Sequence, residues 1–176
     1  MTDIYTPAFF AEHHETVTMS ASIVAPLVKD LLNPQSVLDI GCGQGEWLEA
    51  FGIEDSFGVD IAAPEREGFL RHDLTTRLDL DRKFDLAISL ETAEHLPKEA
   101  AQTYVASIAR HTNTVLFSAA VPGQEGLHHV NCQPHEYWHE RFYILGFDVA
   151  DPIRPLIAHN PYVSPWYRNN IFVYVR

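Results

Sequence analysis

Short apolar runs, bounded by glycine, proline and acidic residues, divide the chain into strand-sized pieces. Residues 36–40 form the first, 57–61 the second, 84–90 the fourth and 115–120 the fifth. A weaker third lies at 68–71, just before His72, Asp73 and Leu74, and two more follow at 147–150 and 171–175. Between them apolar positions recur at helical spacing. Ile23, Leu27, Val28, Leu31 and Leu32 predict a helix capped by Ser20, kinked or delayed by Pro26 and ended by Asn33 and Pro34. Ala101, Tyr104, Val105, Ile108 and Ala109 predict another after Pro97. Tyr137, Trp138, Phe142 and Leu145 predict one after Pro134, with Gly146 as its stop. The connection 75–83 is too short for a full helix. Fully apolar strands alternating with helices imply an α/β fold: a doubly wound, mostly parallel seven-stranded sheet with helices on both faces. The last strand alternates less cleanly and is expected to insert antiparallel.

The 176 residues suit a single domain. Residues 1–18 are weakly patterned, and the Phe9 and Phe10 pair suggests an arm or lid packed on a domain of residues 19–176. The formal charge of -12 repels polyphosphate, which argues against nucleic acid as a main substrate. Cys42 and Cys132 show neither a pairing pattern nor metal-ligand spacing, as expected in a reducing cytoplasm. The first 18 residues lack the basic and apolar regions of a signal peptide, and no apolar run suits a membrane span. The oligomeric state is not legible.

The densest chemistry begins at residues 37–45, Val-Leu-Asp-Ile-Gly-Cys-Gly-Gln-Gly. A buried strand runs into a glycine turn and then into a helix bearing Trp47, Leu48 and Phe51. Glycines let a ligand approach the backbone, and a helix N-terminus adds partial positive charge. The spacing is G-x-G-x-G, one residue tighter than the dinucleotide fingerprint, and Asp39 precedes it. That acid would repel a pyrophosphate but suits a cationic ligand, which speaks against a dinucleotide-dependent oxidoreductase. Here the sequence resembles the class I methyltransferases, Rossmann-like enzymes that use S-adenosylmethionine, and in particular their small-molecule O-methyltransferases. The resemblance implies that Gly41, Cys42 and Gly43 hold the methionine part of the cofactor, with Asp39 near its ammonium group and Trp47 alongside. It also implies that Asp60 clamps the ribose hydroxyls, as an acid about 20 residues past the turn should. Ile61 would pack on the adenine, Asp73 and Leu74 would meet its edge, and Leu90 would complete the wall. Taken singly, Asp39, Asp60 and Asp73 could be loop acids capping helices. Their placement at three successive strand ends favours a ligand.

The fourth strand runs into Glu91, Thr92, Ala93, Glu94 and His95 at the carboxyl edge, where open α/β sheets bind ligands. His128 and His129 follow the fifth strand at the same edge. His95 could act as general base toward a substrate hydroxyl, with Glu94 and His129 beside it. Alternatively Glu91, Glu94, His95 and His129 could hold a divalent metal, magnesium or zinc, that acidifies the hydroxyl. A plainer role is preparation of the helix at Pro97. The Glu-x-x-Glu-His pattern with a later histidine resembles small-RNA 2'-O-methyltransferases and the O-methyltransferases of ubiquinone synthesis. His129 fits the later position better than His128. Residues 128–131, with Gln133, Pro134, Tyr137 and Trp138, look like those of bacterial enzymes that decorate sugars and polysaccharides. The expected activity is therefore methyl transfer to a hydroxyl of a small polar molecule, with a saccharide as the candidate acceptor. RNA 2'-O-methylation and a non-catalytic cofactor-binding partner are the alternatives. Tyr5, Phe9, Phe10, His13, His14, residues 127–133 and residues 166–169 are candidate pocket walls.

Overall fold

In the computed structural model, backbone is described from residue 7 and side chains from residue 14. Helix α1 (Pro7–Leu32) leads into β1 (Ser36–Ile40), α2 (Glu46–Phe51), β2 (Asp55–Asp60), β3 (Phe69–Arg71) and β4 (Leu86–Leu90). Then come α3 (Ala101–His111), β5 (Thr114–Ser118), α4 (His135–Ile144) and β6 (Asp148–Ala150). The described chain ends with α5 (Arg154–Ile157), α6 (Pro165–Asn170) and β7 (Phe172–Val175). The described strands form one seven-stranded sheet, ordered β3-β2-β1-β4-β5-β7-β6. Only β7 runs antiparallel to its neighbours, so the expected Rossmann-like α/β architecture is the one observed.

Every residue of β1 and β4 is buried, because helices cover both sides. Leu38, Ile40 and Ala87 pack with α3 and α4. Val37, Leu86 and Ile88 face α1, α2, α5 and α6. Segment 75–83 forms no helix. It lies along α3, where the Leu78 N–H donates to Ser107 Oγ and the Leu80 N–H to His111 Nε2.

The first helix departs from expectation. It starts at Pro7 rather than at Ser20, whose hydroxyl instead donates back to the Thr16 carbonyl at 2.9 Å and accepts the Ser164 N–H at 3.1 Å. The serine is thus an interior bridge to the segment before α6, not a cap. Its buried face is Ala21, Val24, Ala25 and Val28, while Leu31 is exposed. Small side chains let the helix lie close against its neighbours, and Ile23, Leu27 and Leu32 flank that face, partly buried against the same core. Pro26 sits on the exposed side, where water can satisfy the carbonyl its missing N–H leaves unpaired.

His111 ties α3 to the 75–83 segment. Its Nδ1–H donates to the Ser107 carbonyl at 2.6 Å, and its Nε2 accepts from Leu80. Only the neutral ring can do both, and burial holds its pKa below the ordinary value. A depressed pKa contributes stability that is present above the unfolded value and lost as pH falls toward the folded one. Urea denaturation should therefore show the protein losing on the order of 1 kcal/mol relative to His111→Gln between pH 7 and pH 5, near the ordinary histidine range. Equal losses in both proteins would remove this role.

Candidate active site

The carboxyl ends of β1, β2 and β4 converge on one cleft of about 280 Å³. Gly41 leaves β1 at φ 92°, and a Cβ there would collide with the Thr92 side chain after β4. The turn therefore needs glycine both for its backbone and for the approach of Thr92. Gly41 N–H and Cys42 N–H both donate to the Val59 carbonyl, at 2.7 and 3.2 Å. The Asp60 carboxylate fixes the same turn, accepting the Gly43 N–H at 3.1 Å through Oδ2 and the Ala62 N–H at 2.8 Å through Oδ1.

Gly41, Cys42, Gly43, Trp47, Asp60, Ile61, Asp73, Leu74 and Leu90 all line the cleft. Asp39 does not. It lies in the buried strand β1, 2% exposed, and among the described residues nothing hydrogen-bonds to Oδ2. Burial first, then Asp60 and Glu46, push its carboxyl well above the usual range. Asp73 lines the cleft and closes a turn rather than capping a helix, since none follows it. Its Oδ1 accepts both the N–H and the hydroxyl of Thr75, which lowers its pKa.

At the other end of the cleft, residues Ala93–His95 form a single 3-10 turn. Glu94 is fully buried, and neither carboxylate oxygen has a hydrogen-bond partner among the described residues. Burial and the neighbouring Glu91 raise its pKa strongly. Its backbone carbonyl accepts the N–H groups of Val130 and Asn131, both at 2.9 Å, which draws the 128–131 segment against it. One ligand atom each from Glu94, His95 and His129 lie within 4.8 Å of one another. His95 Nδ1–H donates to the His128 carbonyl at 3.3 Å, and His129 Nδ1–H to the Gln124 carbonyl at 3.1 Å. A carbonyl can only accept, so both rings carry a proton on Nδ1. Burial and His129 pull the His95 pKa down to about 4, which keeps it neutral at physiological pH.

Glu91, expected as a fourth metal ligand, is not in that cluster. Its backbone turns left-handed at φ 51°. Its side chain is taken up by Gln124 Nε2 at 2.8 Å and Asn170 Nδ2 at 3.4 Å. Of the candidate walls, His14, Leu127, Trp166 and Tyr167 line the cleft, whereas the side chains of Tyr5, Phe9, Phe10 and His13 lie outside the described residues. Sequence reasoning missed Thr92, Gln124 and Glu46. Thr92 was legible, since it follows the glycine turn's partner strand directly. Gln124 stands alone in a loop and carries no pattern.

A family model described as "Methyltransferase domain" matches residues 11–143. The chain belongs to this methyltransferase family. It is accordingly an S-adenosylmethionine-dependent methyltransferase with the Rossmann-like fold of that family. No curated protein sequence matches it significantly. Among solved structures, the sugar N-methyltransferase KedS8 from Streptoalloteichus is 18% identical, with TM-score 0.70, covering 96% of this chain and 91% of the other. CalS10, an amino pentose methyltransferase from Micromonospora echinaspora in its S-adenosylmethionine-bound form, is 15% identical with TM-score 0.69, and 98% of each chain is covered. The methyltransferase domain of bacterial CtHen1 is 20% identical with TM-score 0.64, covering 89% of this chain and 97% of that one. At such identities these likenesses concern the fold. The site of this methyltransferase nevertheless fits the cofactor on its own chemistry. Gly41, Cys42 and Gly43 bring the turn to the cleft, and the Asp60 carboxylate lines it beside them, which suits a ligand that carries hydroxyl groups. No described helix is long and apolar enough to cross a membrane.

Proposed function

We propose that this methyltransferase acts on a hydroxyl of a small polar molecule, with saccharides the leading class, and that Glu94, His95 and His129 hold a divalent cation beside it. The observation that carries the reading is the buried, unpartnered Glu94 carboxylate next to two histidines whose Nδ1–H groups are both anchored to backbone carbonyls. Such anchoring fixes the tautomer that presents Nε2 to a metal. With two imidazoles in the set, zinc suits the site better than magnesium, which prefers oxygen ligands. When bound, such a cation supplies Lewis acidity toward a hydroxyl oxygen. The lowered basicity of His95 makes it a weak base on its own, which favours the ligand role.

In this reading Asp39, Gly41, Cys42, Gly43, Trp47, Asp60, Ile61, Asp73, Leu74 and Leu90 bind S-adenosylmethionine, which supplies an electrophilic methyl group. The protein aligns acceptor and methyl. Residues 1–18 serve as a lid. His14 and Val17 already line the cleft, and His14 Nδ1 lies 3.0 Å from Glu46 Oε1. The charge of -12 weighs against RNA as the acceptor.

Calorimetry on chelator-treated protein saturated with S-adenosylhomocysteine tests the cation. Zinc should bind with a heat that His129→Ala abolishes; no zinc heat in the native protein would return His95 to the role of base. Mass spectrometry of products from a panel of glycosides and amino sugars tests the acceptor. Methylation confined to nitrogen would overturn the hydroxyl assignment.

A further inference from the structure

Three polar side chains from distant parts of the chain meet at the cleft, and two of them, Glu91 and Gln124, line it. Gln124, in the loop after β5, is gripped at both ends of its amide. Its Nε2 donates to Glu91 Oε2 at 2.8 Å, and its Oε1 accepts from Asn170 Nδ2 at 2.9 Å. Asn170, at the end of α6 and 1% exposed, also reaches Glu91 Oε1 at 3.4 Å. The orientation of its own amide is fixed from behind, because its Oδ1 accepts from His135 Nε2 at 3.2 Å. The same Gln124 offers its backbone carbonyl to His129 Nδ1 at 3.1 Å. The His129 ring lies against Gly126, where a Cβ would collide with it. The rotation and tautomer of His129 thus depend on where residue 124 stands, with Cys132 Sγ a longer second contact 3.6 Å from the same nitrogen, and residue 124 is placed by Asn170 and Glu91.

We infer that Asn170 and Gln124, together with Glu91, are positioning residues that hold His129 in its Nδ1–H tautomer with Nε2 directed into the cleft. This assigns Glu91 to the anchor rather than to the ligand set. It rests on the proposed function only for the catalytic importance of His129; the positioning itself is a separate, structural statement. Asn170 is brought to this edge by the antiparallel entry of β7, which explains why a residue so late in the chain can act on a loop after β5.

The test is the ring-nitrogen NMR spectrum of the full chain, saturated with S-adenosylhomocysteine, at a pH where histidines are neutral. In the native protein both His95 and His129 should show the Nδ1–H tautomer. In Asn170→Ala, His129 should move to a mixture with a substantial Nε2–H fraction. His95, anchored on the His128 carbonyl, should stay unchanged, and cofactor-product affinity should remain within about twofold. A purely structural role for Asn170 would perturb both histidines alike or neither. An unchanged His129 spectrum in a folded Asn170→Ala protein overturns the inference. If that variant does not fold, Gln124→Ala, at a partly exposed loop position, must give the same selective shift. Loss of activity in His129→Ala bears on the proposed function alone, whereas the tautomer reading decides the positioning whatever that variant does.

Discussion

Glu94→Gln is expected to raise the melting temperature of the cofactor-free protein by several degrees while cutting methyl transfer by about a hundredfold or more. The carboxyl is fully buried and its oxygens have no described partner, so its charged form is costly. Burial and Glu91 raise its pKa. For a raised carboxyl, stability is present below the unfolded value and lost as pH rises through the folded one. At neutral pH the native side chain therefore weakens the fold, and the neutral amide removes that cost, on the order of 1–2 kcal/mol. The gain should shrink as pH falls toward 4, where the unfolded carboxyl also protonates. Scanning calorimetry at pH 4.5 and pH 7.5, paired with turnover assays, checks both halves. A variant less stable than the native protein at pH 7.5 would mean that Glu94 is held by interactions worth more than its desolvation.

The second large effect concerns Asp60. Asp60→Ala should weaken S-adenosylhomocysteine binding by about a hundredfold, since charge-assisted hydrogen bonds contribute about 1.5–3 kcal/mol each. The carboxylate already pins the glycine turn through Gly43 and joins it to Ala62, so its loss loosens the turn together with removing the proposed ribose contact. Asp60→Asn keeps one accepting oxygen and should fall between the two. Titration calorimetry reads all three. Affinity within threefold of native in Asp60→Ala would exclude Asp60 from the cofactor site.

Much of this was written in local pattern. The largely apolar runs at 36–40 and 84–90 announced a sheet covered on both faces, and a buried strand entering Gly41 announced the cleft. The helical stripe of α1 was partly legible: Val28 is buried and Ile23, Leu27 and Leu32 pack at the margin, whereas the centre of the buried face uses Ala21 and Ala25, which do not stand out by size. The helices α5 and α6 are too short for periodicity, although Pro155 and Pro165 near their starts were usable signals. At the reaction end, residue type and spacing grouped Glu91 with Glu94. What separates them is a left-handed backbone at Glu91 and two amides from residues 124 and 170, and neither leaves a mark in the local sequence.

The reversed direction of β7 also sets an order of assembly. During synthesis the glycine turn, Asp60 and the Glu94–His95 turn emerge first, and Trp166, Tyr167 and Asn170 emerge last. A nascent chain ending near residue 164 already contains the glycine turn and the Glu94–His95 turn but lacks Trp166 and Tyr167, which line the same cleft. The cleft is thus completed only by the last stretch of the domain. Sequence change in that stretch reaches back into the earlier half, through Tyr167 against Trp47 and through Asn170 against Gln124.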